Sequence, residues 1–123
     1  MAIKPLHGVR VLDLTNVLAG PFAGRMLADL GADVVKVEPP DGDLTRLWGA
    51  VIGGVPGYYH QQNVGKRNSC IDLSLPQGSE LVQALAAEAD VVLENFRPGV
   101  AARLGVSYAD LSKQNPRLVM LSI

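Results

Sequence analysis

Short, nearly unbroken apolar runs alternate along this chain with stretches of helical periodicity. Val9-Arg10-Val11-Leu12-Asp13-Leu14-Thr15 reads as a strand, and Asn16 to Gly20 as a turn. A helix opens on Pro21, runs to Leu30 and stops at Gly31; Asp33-Val34-Val35-Lys36-Val37-Glu38 is the next strand. Proline suits the first helical position, where its missing N–H would be unpaired anyway, and glycine suits the position just past a helix end. Strand, turn, helix and strand within about thirty residues has the size of one βαβ unit.

The pattern then breaks. Pro39-Pro40-Asp41-Gly42-Asp43 is a turn signal, and Leu44 to Asn68 reads as irregular. A loop of that length is uncommon in a compact domain unless it binds something or contacts a partner chain, and its aromatic and apolar residues favour such a role. Ser69 to Leu73 reads as a short strand. Pro76 opens a helix running through Ala89, with an apolar face at Leu81, Val82 and Leu85. Val91 to Phe96 is a strand, Val100 to Leu104 a short helix, and Ser107 an N-cap for a helix from Tyr108 to Gln114. Leu118 to Ile123 is the last strand. Continuous apolar strands are those buried on both faces of a parallel sheet. Their alternation with helices predicts an α/β, Rossmann-like, doubly wound domain with a mostly parallel sheet.

Composition narrows the function classes. The chain of 123 residues fits one domain with a real core, and 48% hydrophobic with 19% charged residues is a globular balance. A net charge of −1, with no basic run longer than Lys66-Arg67, argues against nucleic acid as a partner. No run approaches the roughly 18 apolar residues of a membrane span. The lone Cys70 excludes an internal disulfide, is expected to be buried and inert, and favours a reducing, cytoplasmic location. His7 and His60 lack neighbouring ligands at metal-binding spacing, so no metal is expected. G-x-G-x-x-G, the P-loop and G-x-S-x-G are all missing from the sequence.

Three stretches carry candidate chemistry. The turn Asn16–Gly20 precedes a helix whose free N–H groups could hold a phosphate or carboxylate, or it is an ordinary βα connection. Asn63-Val64-Gly65-Lys66-Arg67-Asn68 offers two adjacent cations, for which a solvated basic turn is the better reading. Glu94-Asn95-Phe96-Arg97-Pro98-Gly99, with Arg103 beyond it, could stack a ring and pair a phosphate; the alternative is a core Phe96 and a solvated Arg97. Asp13 and Glu38, near strand ends, read as surface or cap residues rather than site residues.

Taken in order, Leu6-x-Gly8-Val9-x-Val11-Leu12-Asp13-Leu14-Thr15, Ala19-Gly20-Pro21, Leu27-x-x-Leu30-Gly31-Ala32-Asp33-Val34-Val35-Lys36-Val37-Glu38, Asn63-x-x-Lys66-Arg67 and Ala89-Asp90-Val91-x-x-Glu94-Asn95-Phe96-Arg97-Pro98-Gly99, with Leu104-Gly105 after them, resemble the amino-terminal part of the class III coenzyme A transferases. That group includes formyl-CoA transferase, carnitine CoA-transferase and α-methylacyl-CoA racemase. The resemblance implies a CoA-binding Rossmann-like domain of an interlocked homodimer. It also implies an enzyme that moves CoA between an acyl-CoA and a carboxylic acid through an aspartyl anhydride, a covalent route that splits one acyl transfer into easier steps.

By the same resemblance, Val17, Leu18 and Ala19 lie beside the nucleotide of coenzyme A, and Ile71, Asp72, Leu73 and Ser74 near its adenine. Asn95, Phe96 and Arg97 line the pantetheine and phosphate path, and Arg103 supplies a cation for a phosphate. Pro39 and Ser74 stand where some transferases carry a basic residue and a lysine, and each removes a phosphate contact. The family's aspartate falls beyond Ile123, so neither Asp13 nor Asp90 is that nucleophile. Because the chain ends at a buried strand, and ligands of such sheets bind beyond the strands' carboxyl ends, it is expected to be a fragment, inactive alone. Two alternatives stand beside CoA transfer: the racemase branch, which the Asn63-x-x-Lys66-Arg67 motif disfavours, and a non-catalytic nucleotide-binding or assembly module.

Overall fold

A computed structural model describes residues 3–123. Strand β1 (Arg10–Asp13), helix α1 (Ala19–Asp29) and strand β2 (Asp33–Glu38) form the expected βαβ unit. The helix begins two residues before Pro21. That costs no hydrogen bond, since the N–H groups of the first turn have no partner within the helix. Gly31 takes a φ of 105°, the left-handed conformation that ends a helix.

The Leu44–Asn68 stretch is not irregular. It holds a 3-10 turn at Leu44–Leu47, a hairpin of β3 (Val51–Ile52) and β4 (Val55–Pro56), and helix α2 (Gly57–Asn63). These elements are too short, and too rich in glycine, to show a period in the sequence. Strand β5 (Arg67–Cys70) likewise begins earlier than its apolar residues suggest. Its polar side chains give no strand signal, and pairing with Val35–Glu38 of β2 sets its limits instead. Ile71 to Ser74 therefore form the loop after β5. Helix α3 (Pro76–Ala87), strand β6 (Val91–Glu94), helices α4 (Val100–Arg103) and α5 (Tyr108–Leu111) and strand β7 (Val119–Ser122) complete the order. Ser107 caps α5 as expected, within a reciprocal capping box with Asp110.

The main sheet is parallel throughout, in the order β5-β2-β1-β6-β7. This is a doubly wound arrangement, with the order reversing between β1 and β6. Alternate strand residues face opposite layers. Leu12, Val37 and Val92 pack into one apolar cluster with Val82 and Ala86 of α3 and Leu111 of α5. Val11, Val34 and Leu93 pack on the other side with Leu27 and Ala28 of α1.

Two expectations fail at the sheet's edges. Two of β7's apolar side chains are exposed, Val119 at 61% and Leu121 at 43%, while Met120 on the other face packs against the core; an edge strand has a neighbour on one side only. Cys70, closing the opposite edge strand, is exposed rather than buried. No helix among the described residues is long and apolar enough to cross a membrane.

Candidate functional site

In an open α/β sheet, ligands bind beyond the strands' carboxyl ends where the strand order reverses. Here that point lies between the segments following β1 and β6. The turn after β1 is held from two sides, by the segment after β6 and by β2 with the loop after it. The Asn95 side chain accepts from Asn16 N–H at 2.9 Å and donates to Asn16 C=O at 2.8 Å. From the other side, the Asp43 carboxylate accepts Val17 N–H at 3.2 and 3.3 Å, and Lys36 Nζ donates to Thr15 C=O at 2.7 Å. Val17, with φ of 73°, is the one non-glycine residue in the left-handed region among the described residues. Such a β-branched outlier costs on the order of 1–3 kcal/mol and persists only where its surroundings hold it. A Cβ on Gly20 would lie 2.2 Å from Thr15 Cβ, so glycine is required where the turn enters the helix.

Beneath the turn, the carboxyl half of the sheet carries charge on its α1 side. Asp13, Lys36 and Glu38 are buried there, not at the surface. Lys66 Nζ, expected in a solvated turn, is buried too, 2.8 Å from Asp13 Oδ2, and donates to Pro21 C=O and Asn63 Oδ1. Burial pulls the Lys66 ammonium below its ordinary pKa, with Asp13 opposing. A Cβ on Gly24 would meet Asp13 Oδ2 at 2.5 Å, so α1 docks directly on this pair.

Glu38 accepts from Arg46 Nε at 2.6 Å and from the Tyr59 hydroxyl and the Asn68 amide. Burial pushes its carboxyl up. The Arg46 and Tyr59 side chains and the Asp43 N–H outweigh that and hold it at about 2. Burial, and then hydrogen bonding to Glu38, push the Tyr59 phenol up, and Arg46 lies over its ring at 3.9 Å. Burial also raises Asp43, but the Thr45 N–H and the Lys36 ammonium keep it below the usual carboxylate range.

On the opposite side of the turn lies an open cleft of about 240 Å³ between the loops after β5 and β6. Ile71, Asp72, Leu73, Ser74 and Phe96 of the predicted set line it, together with Asn16 and Pro39. Phe96 both packs against the core and faces the cleft, so its two readings coexist. Asp72 Oδ1 accepts from Ser74 N–H at 2.9 Å and Oγ at 2.6 Å, shaping the loop's tip. Helix α3 sits so close that a Cβ on Gly78 would lie 1.9 Å from Asp72 C=O. An adjoining hollow shares Leu73, Ser74 and Leu104 and adds Arg103. Leu18 and Ala19 are exposed at the turn and Arg97 is exposed beyond β6. Asn95 engages the main chain of Asn16 with both of its polar ends.

Lys36 and Asp43 belong to none of the three candidate stretches in the sequence, and Lys66, a candidate phosphate cation there, is instead paired with Asp13. One signal was present. A lysine inside the apolar run Val34-Val35-Lys36-Val37 must either reach solvent or find a buried counter-charge.

Comparison with known proteins finds relatives along nearly the whole chain. A Succinate--glutarate CoA-transferase of Agrobacterium fabrum is 49% identical, over 97% of this chain and 32% of that protein. The human Succinyl-CoA:glutarate CoA-transferase is 45% identical, over 98% of this chain and 28% of its own length. The crystal structure of a CAIB/BAIF family protein from Brucella suis matches with a TM-score of 0.93 at 45% identity, covering 98% of this chain and 33% of that one. The chain thus spans about a third of the length of the relatives it matches. The family model described as CoA-transferase family III matches residues 6–123, and the chain belongs to that family.

Proposed function

We propose that this chain forms the coenzyme-binding wall of an enzyme that moves CoA from an acyl-CoA to a carboxylic acid. The observation that carries the reading is the cleft at the sheet's reversal point, where Ile71–Ser74 and Phe96 meet the Asn16 turn. Its apolar lining suits adenine and the pantetheine arm, and Arg103 beside Ser79 in the adjoining hollow suits a phosphate. The Agrobacterium and human relatives are CoA-transferases, which favours transfer over racemisation.

In the mechanism proposed, an aspartate outside these residues attacks the thioester carbonyl and expels CoA as a thiolate, leaving a mixed anhydride. The thiolate then opens the anhydride at the aspartyl carbonyl, giving an enzyme-bound CoA thioester and releasing the first carboxylate. Asp13, Glu38 and Asp43 are poor candidates for the nucleophile, since each is buried against a cation. The work left to this chain is to bind and orient CoA, within a cytoplasmic homodimer whose subunits interlock and whose chemistry needs no metal.

Calorimetric titration of the polypeptide carrying this sequence tests the reading. CoA binds, and dephospho-CoA or the Arg103→Ala variant weakens binding by about tenfold, the worth of one charge-assisted contact. A folded protein that ignores CoA overturns the proposal.

A further inference from the structure

Resting on the CoA-facing reading of the turn after β1, we propose that Asp43 is a positioning residue for coenzyme binding, which together with Lys36 clamps the Asn16–Ala19 turn in its binding shape. Lys36 and Asp43 form an ion pair of 3.0 Å whose two side chains are wholly inaccessible to solvent. Replacing such a pair by apolar groups of similar size is often neutral or stabilising, so stability by itself gives weak reason for its presence here. What the pair does hold is main chain. Lys36 Nζ donates to Thr15 C=O at 2.7 Å, and both Asp43 carboxylate oxygens lie within 3.3 Å of Val17 N–H.

Asp43 is itself fixed. Its Oδ1 accepts from Thr45 N–H at 2.9 Å and Thr45 Oγ1 at 2.8 Å, and its own N–H donates to Glu38 Oε2 at 2.8 Å. The carboxylate is therefore aimed at the turn by three groups outside it, the Thr45 N–H and hydroxyl and the Lys36 ammonium, with Glu38 fixing its main chain. Val17 is β-branched and left-handed, a conformation it does not favour by itself, and its N–H points at the Asp43 carboxylate. Without Asp43 the Val17 N–H loses its acceptor and the φ of 73° loses one of its restraints. Asn16, which lines the cleft, is pinned from the far side by Asn95. The loop after β2 and the loop after β6 thus hold the turn between them, and only the β2 side does so with a buried charge.

The test compares the full wild-type chain with Asp43→Asn and with the double variant Lys36→Met/Asp43→Leu. It reads thermal midpoint, CoA affinity and exchange of the Val17 amide. The double variant leaves no orphan charge, but it unpairs Thr15 C=O and the Thr45 and Val17 N–H groups, so it is expected to fold with a lowered midpoint. At a temperature where it is fully folded it binds CoA about tenfold more weakly and exchanges the Val17 amide at least about tenfold faster, a loss that a role in stability alone would not produce. Asp43→Asn, which alters the volume little, carries the same expectation for affinity and exchange should the double variant fail to fold. Wild-type CoA affinity in either folded variant overturns the clamp while leaving the coenzyme reading intact. Rapid exchange of the Val17 amide in the wild type also overturns the clamp. Failure of the wild type to bind CoA overturns the coenzyme reading itself, and with it this role for Asp43.

Discussion

The two faces of one sheet are built on opposite principles. Toward α3 and α5, Leu12, Leu14, Val37 and Val92 meet Val82, Ala86, Val106 and Leu111 in an apolar core. Toward α1 and α2, Val11, Val34 and Leu93 are apolar only at the amino half. The carboxyl half there carries Asp13, Lys36 and Glu38, buried with the side chains of Lys66 and Asp43 and capped by a partly exposed Arg46. The same strands supply both layers, since neighbouring residues alternate between them. Apolar contacts are non-directional and yield stability. Buried charge pairs are directional and hold main chain at set positions, and here they lie beneath the turn that faces the cleft. The lesson is that stability and geometry have been assigned to different sides of the same sheet.

The sharpest way to break that division is to orphan one charge. Lys66→Ala leaves Asp13 buried without its cation and should destabilise the protein by about 4 kcal/mol in chemical denaturation. A loss below about 1 kcal/mol would show that the pair is dispensable. On the apolar side, Leu12→Ala should cost about 3 kcal/mol through lost burial and a residual cavity. It should leave the Val17 amide's exchange unchanged under native conditions, because no polar contact of the turn involves Leu12. An equal loosening of the turn by both substitutions would dissolve the distinction drawn between the faces.

The smallest effect is confined to acid. Glu38 sits at about 2 when folded against an ordinary 4.5, so it binds its proton more readily once unfolded. Its contribution is whole above pH 4.5 and is lost as pH falls from there toward 2. Glu38→Gln should therefore flatten that limb of the stability curve. Denaturation series at about pH 3 and about pH 7 check the sign, and an unchanged slope would remove Glu38 from the account.

Much of the fold was legible because periodicity and helix punctuation are local. β2 lies where its apolar run places it, α3 begins at Pro76, and Ser107 caps α5. Strand β5 and helix α2 were not legible, since Arg67-Asn68-Ser69-Cys70 becomes a strand by pairing with β2 rather than by its own preference. The cleft was legible in part. Ile71–Ser74 and Phe96 were named through family motifs, and the structure brings them together.

What the sequence alone determined is the α/β order, the βαβ unit, and membership of a family whose motifs lie at matching spacing along the chain. Those properties depend on neighbours in sequence. Only the tertiary structure decided that Lys36 meets Asp43 and that Lys66 meets Asp13, partners 7 and 53 positions apart. Whether a charge on a strand is solvated or buried depends on which chain segment closes over it, and that is set by the folded topology. The stretch from Leu44 to Asn68 shows the consequence: it reads as a loose insertion in sequence, and in the fold it supplies Arg46, Tyr59 and Lys66 to the charged layer beneath the turn.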